Sequence, residues 1–200
     1  MEKCSIFASS FTEVLIIMDN FLENHISFEV VGVTTGATLP DACMLLMREQ
    51  TGPRRHFTVL VSREEYNQLK SALMRKDFSS TRLMTELAGV FSIEIRRIQI
   101  CYVPGGKFSA RIYLKMGDEE RIMETEVATA VLLALETKRT VSVSRDEFNR
   151  LYMGESPEGE VKIPLPSMQT ELLRQALELA VQEDNFELAS QLRDELRTRG

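Results

Sequence analysis

The chain has 200 residues and a net charge of −6, and 44% of its residues are hydrophobic and 27% are charged. This composition is ordinary for a globular protein, and the length allows one mid-sized core with a small appendage. No apolar run approaches the ~20 residues of a membrane span, and the N-terminal residues lack a secretory-signal pattern. The three cysteines lie far apart and form no CxxC pair, so neither a zinc site nor a disulfide framework is predicted. We therefore expect a reduced, cytoplasmic protein that does not associate with membranes.

Charge is unevenly distributed along the sequence. Residues 54–111 carry 11 basic and 5 acidic side chains, whereas the segments before and after them are negative. A local excess of charge decides whether polyanions are attracted, so nucleic acid remains a candidate partner. Its candidate contacts are Arg82, Arg96, Arg97 and Arg111. The alternative is that these arginines form the solvated faces of ordinary helices and strands.

Apolar periodicity and turn residues predict alternating strands and helices. Capping boxes that open at Ser62 and Ser144 mark two helix starts, and Gly105 and Gly106 mark a hairpin turn. The nearly all-apolar segment 127–135 predicts a buried helix. Strands are predicted over 26–33, 42–48, 57–61, 92–103, 108–116, 120–125 and 140–143, and helices over 62–74, 81–91, 127–135 and 144–153. This order indicates a mixed α+β fold, with a largely antiparallel sheet and packed helices.

Two of these elements have informative apolar patterns. The helix over 81–91 has Leu83, Met84, Leu87 and Val90 on one side. In the strand over 92–103, the apolar positions shift by one residue between its two halves, which would turn the second half onto the opposite face. Either a β-bulge near residues 96–97 or burial of both strand faces would explain this shift.

The composition divides the chain into four parts. Residues 1–25 form an N-terminal extension, with an amphipathic helix predicted over 11–22, and residues 26–153 form the α+β domain. Residues 154–166 contain two glycines and three prolines but few apolar residues, and they are predicted to be a linker. Residues 167–200 form a helical hairpin, tethered to the domain, whose apolar stripe runs from one helix to the next.

The hairpin carries a motif that resembles a known family. Residues 184–194 read DNFELASQLRD, and Asp184 and Glu187 are predicted to cap the second helix. An acidic residue before Phe-Glu, then an alanine and Leu-Arg-Asp, resembles the UVR motif of bacterial excision-repair subunits and of adaptor proteins in bacterial proteolysis. The resemblance implies that the hairpin binds a protein partner by pairing with another helical hairpin. The implied contacts are Phe186, Glu187, Leu192, Arg193 and Asp194.

The order of elements in 26–153 resembles the bacterial bifunctional nuclease family, which often carries a UVR tail. The segments FTVLVSREE at 57–65, FSIEIRRIQI at 91–100 and GKFSARI at 106–112 follow the family's pattern. The polar positions depart from it. The family's Arg-Pro-x-Thr-His-Asp is Phe-Ser-Ser-Thr-Arg-Leu here at 78–83, and its Ile-Asp-Ala-Arg-x-Ser-Asp-Ala is Met-Glu-Thr-Glu-Val-Ala-Thr-Ala at 123–130.

This resemblance implies phosphodiester hydrolysis, which needs a positioned water, charge compensation and usually a metal held by carboxylates. Glu65 matches a family glutamate, and with Glu124 and Glu126 it makes up the set of candidate catalytic acids. Glu124 and Glu126, two residues apart on one strand face, would share one Mg²⁺ or Mn²⁺ ion. Alternatively, the pair is exposed at a strand end and Glu65 is only a helix cap.

Two functions are therefore open. The first is a metal-dependent nuclease that acts on DNA or RNA and uses the hairpin to dock a partner. The second is a non-catalytic interaction scaffold in bacterial DNA repair or proteolysis, because most of the family's polar positions are replaced. The sequence leaves the activity of the domain and its homo-oligomerisation undecided.

Overall fold

The computed structural model describes residues 24–37, 39–103, 105–152, 154 and 163–199. The strands are β1 (His25–Thr35), β2 (Cys43–Glu49), β3 (His56–Val61), β4 (Ile93–Val103), β5 (Lys107–Met116), β6 (Glu119–Thr125) and β7 (Val141–Ser144). The helices are α1 (Arg63–Arg75), α2 (Ser79–Val90), α3 (Val127–Glu136), α4 (Arg145–Leu151), α5 (Thr170–Gln182) and α6 (Phe186–Arg199). The predicted α+β fold with a C-terminal helical hairpin is confirmed.

The strands form one sheet in the order β3-β2-β1-β7-β4-β5-β6. Every neighbouring pair is antiparallel except β4 and β7, which are parallel. Although four strands separate β3 from β5 in this order, the two approach each other, so the sheet curls around a core. None of the described helices is long and apolar enough to span a bilayer.

The helix α3 fills the inside of this curled sheet. Its buried residues are Val127, Ala128, Ala130, Val131, Leu132, Leu133 and Ala134. It contacts α1 and α2 on one side and β4 and β5 on the other, so it has no solvated face. A helix that is apolar all round is stable in water only in such a position, and the predicted burial of this segment is confirmed.

A partly buried ion pair lies over an aromatic cluster at one end of the sheet. The rings of Phe28, Phe57 and Phe148 lie 5.5–5.7 Å apart, and the Arg55 guanidinium lies 4.4 Å above Phe148. Arg55 also donates two hydrogen bonds of 2.9 and 3.0 Å to the Glu49 carboxylate, and Glu49 is only 5% exposed. These hydrogen bonds hold the pKa of Glu49 below its usual value.

Both of the explanations offered for the shift of apolar positions in β4 apply. The pairing with β5 changes register between Ile95 and Arg97, so Arg96 is the extra residue of a bulge, and the predicted bulge is confirmed. Beyond the bulge, Gln99 and Cys101 on the outer face are buried as well as the isoleucines on the inner face. Burial also raises the pKa of the Cys101 thiol.

The hairpin packs against the sheet rather than standing away from it. Ala42 and Met44 near the start of β2, together with Leu60 of β3, form an apolar cluster with the hairpin. The hairpin's buried contribution to this cluster is Met168, Leu173, Ala176, Ala180, Ala189 and Leu192. The alanines let the two helices approach closely, and a helix pair too small to be stable alone gains a surface on which to bury its stripe.

Polar contacts anchor the hairpin where a 3₁₀ turn, Leu165–Ser167, leads into it. The Tyr102 hydroxyl donates to the Pro166 carbonyl at 2.6 Å. Near the end of α6, Arg199 donates to the carbonyl oxygens of Leu165 and Pro166 at 3.1 and 2.9 Å, and it pairs with Glu195 at 2.7 Å. The chain that leads into the hairpin is therefore fixed from both sides.

The cap of α6 differs from the prediction. The Asn185 side chain, not that of Asp184, accepts a hydrogen bond from the Leu188 N–H at 3.2 Å. Asp184 has a left-handed backbone with φ 56°, because it ends α5, and the Asn185 N–H bonds back to the Ala180 carbonyl at 2.8 Å. The predicted helix over 11–22, Met153 and most of the predicted linker lie outside the described residues.

Candidate functional site

Glu65 lies in the first turn of α1, and both of its carboxylate oxygens accept hydrogen bonds from backbone N–H groups. One oxygen accepts from Ser62 at 3.0 Å, while the Ser62 hydroxyl accepts from the Glu65 N–H at 3.1 Å, which completes the predicted capping box. The other oxygen accepts from Ala128 at 3.2 Å, in the first turn of α3. One side chain therefore caps two helices and holds the ends of α1 and α3 together.

Glu124 lies on the outer face of β6, directly across from Arg111 of β5. Arg111 donates to its carboxylate at 3.0 Å, and both side chains are exposed. The hydrogen bond to Glu124 raises the pKa of Arg111 above its usual value. The cation that Glu124 contacts in this structure is therefore the guanidinium of a neighbouring strand.

Glu126 lies at the N-cap position of α3 and is exposed. Because β6 ends at Thr125, the assumption that Glu124 and Glu126 share one strand face is wrong. Glu126 instead lies two residues before the Ala128 N–H that Glu65 caps. Among the described residues, no group of three or more His, Cys, Asp or Glu side chains is placed to hold a metal ion. A cation shared by Glu124 and Glu126 stays a prediction.

The four candidate arginines lie in separate places. Arg82, on α2, is 3.4 Å from Glu136 at the far end of α3 from Glu126. Arg96 is the bulged residue of β4 and pairs with Glu94 at 3.3 Å. Only Arg97 and Arg111 share a surface, because both point to the outer face of the β4–β5 hairpin.

This outer face holds two residues that the sequence analysis did not single out. The Arg97 guanidinium lies 3.6 Å from the ring centre of Tyr113, which is its partner across the strands. The Tyr113 hydroxyl in turn donates to the Gln99 side chain at 3.0 Å. The strict alternation of β5 places Tyr113 on the same face as Arg111, so this signal was present in the sequence. The result is a polar surface with cationic and aromatic groups and the Arg111–Glu124 pair at its edge.

The five predicted partner contacts of the hairpin are divided between two surfaces. Leu192 is buried in the cluster against the sheet. Phe186 at the tip is 68% exposed, and Glu187, Arg193 and Asp194 are exposed on α6. Intramolecular packing therefore covers the stripe and leaves the tip and the outer side of α6 open.

Two family models match the chain. Residues 169–198 match the UvrB/UvrC motif, which is a protein-interaction motif, and its match coincides with α5 and α6. Residues 45–151 match the bifunctional nuclease domain, which confirms the second resemblance. No curated protein shows a significant match. Because residues 45–151 make up more than half of the 200 residues, the chain belongs to the bifunctional nuclease domain family and carries a C-terminal UVR motif.

Proposed function

We propose that this protein is a non-catalytic scaffold of the bifunctional nuclease domain family, which binds a protein partner in the cytoplasm through the tip and outer side of its UVR hairpin. The observation that carries the proposal is Phe186, a large aromatic side chain that is 68% exposed although the stripe beside it is buried. An exposed aromatic residue in a structured element is typical of the central anchor of an interface.

The surroundings of Phe186 indicate the chemistry of the partner. Val181 and Leu188 are also exposed at the tip and extend its apolar surface. Glu183, Asp184 and Glu187 surround them, and all three are exposed. A matching partner therefore offers an apolar pocket with a basic rim, because charge complementarity sets orientation while the buried aromatic group supplies affinity.

The carboxylates of the nuclease domain support a scaffold more than a catalyst. Both oxygens of Glu65 are bound by N–H groups of helix ends, and Glu124 is paired with Arg111. A metal ligand or general base needs lone pairs directed at the cation or the water. These two side chains do not fit a metal site as they lie. DNA repair and proteolysis, the settings of other UVR proteins, are the proposed contexts.

A point variant tests this proposal better than truncation, because removing the hairpin would expose the apolar cluster of the sheet. Wild type, Phe186→Ser and the control Ile122→Ser would be used as baits in bacterial lysate, with bound proteins quantified by mass spectrometry. Ile122 is a matched control, since it is 59% exposed on the sheet. We expect at least one protein to be retained by the control and lost with Phe186→Ser. Identical bound proteins for all three baits would contradict the proposal.

The second candidate function is binding and metal-dependent hydrolysis of nucleic acid. It is favoured by Arg97 stacked on Tyr113 beside Arg111, because single-stranded nucleic acid binds to surfaces that combine positive charge with aromatic rings. Glu126 lies at the start of α3, within one turn of the Glu65 contact, and its exposed carboxylate is accessible to a cation.

Two measurements separate this candidate from the scaffold. A fluorescent oligonucleotide should bind wild type more weakly as salt rises, and the Arg97→Gln variant should lose most of that binding. Hydrolysis with Mg²⁺ or Mn²⁺ would be compared between wild type and Glu124→Gln/Glu126→Gln. Equal background hydrolysis by both proteins would remove the enzyme interpretation and leave the scaffold.

A further inference from the structure

The helix α2 packs against the domain through small side chains rather than through its apolar stripe. The side that faces the domain holds Thr81, which is 2% exposed, together with Thr85 and Ala88, which are half-buried. Away from this side lies the apolar stripe Leu83, Leu87 and Val90, which are 61%, 49% and 77% exposed, and Leu87 also borders the cavity between α2 and the sheet. Leucines at positions i and i+4 with a valine at i+7 are the spacing of a helix face that packs on another element. In the described part of the chain, that element is missing.

The surface around this stripe is also apolar. Phe91, directly after α2, and Met116, the strand partner of Ile93, are largely exposed next to it. A cavity of about 250 Å³ opens between α2 and the sheet, and it is lined entirely by apolar residues. The charged residues of α2 are Arg82 and Glu86, and neither lies on the stripe. Depletion of charge is typical of the core of a protein interface.

The size of this surface suits a second copy of the chain. If a fully exposed apolar side chain presents about 150–200 Å², the α2 stripe with Phe91, Met84 and Met116 presents about 600 Å² of apolar surface. The largest apolar patch of a typical monomer is about 300–600 Å², and a stable dimer buries about 800 Å² per partner with its polar rim included. A patch of this size is at the upper limit for a monomer and approaches that requirement.

We propose that α2 is the interface of a homodimer, in which the α2 stripes of two copies pack against each other across a two-fold axis near Leu87. In this antiparallel arrangement, Leu83 of each copy packs near Val90 of the other, and Leu87 packs against its own counterpart. A two-fold interface needs only one self-complementary surface, and an uncharged stripe of similar side chains provides it. Phe91 and Met116 then border the contact. The hairpin lies elsewhere on the sheet and remains available to a different partner.

The test is sedimentation velocity of the full-length chain over a concentration series. We expect wild type to sediment as a dimer at micromolar concentration, and Leu87→Glu to raise the dissociation constant about thirtyfold or more, since a carboxylate would be buried at the centre. Ile122→Glu changes a residue of similar exposure on another face and should sediment as wild type. A protein concentration of about 100 µM is on the order of the dissociation constant of a weak transient dimer. If wild type is still monomeric at that concentration, the proposal is overturned.

A second variant keeps the test independent of any misfolding by Leu87→Glu. Leu87→Cys places a thiol next to its own counterpart at the axis, so diamide, which takes up the two electrons and two protons, should link two copies by a disulfide. Ile122→Cys and wild type, which share any background from the native cysteines, should not be linked to the same extent. Equal linkage in Leu87→Cys and Ile122→Cys would also overturn the proposal.

Discussion

Gly106, in the turn between β4 and β5, provides a sharp test of how the hairpin is docked. Its φ is +79°, and a Cβ atom at this position would clash with the Met168 carbonyl oxygen and lie 2.6 Å from the Met168 carbonyl carbon. Gly105, one residue earlier, has a φ of +94° but no atom within 4 Å of such a Cβ. The variants Gly106→Ala and Gly105→Ala therefore share the backbone cost and differ in the contact with the hairpin.

The expected magnitudes follow from these two contributions. A non-glycine residue at positive φ costs about 1 kcal/mol, so Gly105→Ala should lower the free energy of unfolding by about that amount. Gly106→Ala should cost about 1–3 kcal/mol more, because the atoms in its way belong to the backbone and cannot rotate aside as a side chain would. The total for Gly106→Ala is therefore about 2–4 kcal/mol, unless the hairpin relieves the clash by leaving the sheet.

Urea unfolding followed by circular dichroism measures the free energy, and amide hydrogen exchange of α5 and α6 shows where it is lost. In Gly106→Ala we expect faster exchange in both helices, with Leu173 and Leu192 exposed, while exchange in α3 stays slow. In Gly105→Ala the hairpin should exchange as in wild type. Equal stability and equal exchange in the two variants would refute the inference that the hairpin packs closely on this turn.

Three further predictions concern the contacts that hold the fold. Glu65→Ala should lower the free energy of unfolding by about 1–2 kcal/mol in urea titrations because it uncaps two helices, whereas Glu64→Ala, at an exposed position, should be nearly neutral. Glu49→Gln should cost about 2 kcal/mol at pH 7. Because Arg55 lowers the folded-state pKa of Glu49, the difference from wild type should begin to shrink as the pH falls below the unfolded-state pKa of about 4 and should be lost only below the still lower folded-state pKa. Arg199→Ala should speed amide exchange in the 3₁₀ turn before α5, and unchanged exchange would contradict its anchoring role.

The limits of the site prediction have a common physical origin. Glu65 was identified as a helix cap from the spacing Ser-x-x-Glu, which is local, but its second contact with Ala128 joins residues 63 positions apart. The placement of Glu124 and Glu126 on one strand face failed because the strand ends at Thr125, as predicted, so Glu126 already lies at the N-cap of α3. Glu124 is therefore a strand side chain and Glu126 a helix cap, and the two carboxylates have different surroundings. The boundary of an element is decided by what packs next to it, which periodicity does not contain.

The sequence by itself determined the elements, the burial of α3 and both family resemblances, because each depends on residue spacing within a short segment, and it left the bulge in β4 as one of two explanations. The tertiary structure decided which surfaces meet. The stripe of α5 and α6 was visible in the sequence, but only the pairing of β2 with β3 and the docking of the hairpin on them bring Met44 and Leu60 under it. The apolar side of α2 was equally visible, yet it faces outward, because α2 packs through Thr81 instead. A periodic apolar pattern predicts that a face is covered by another element. Which element covers it is decided by contacts between residues distant in sequence.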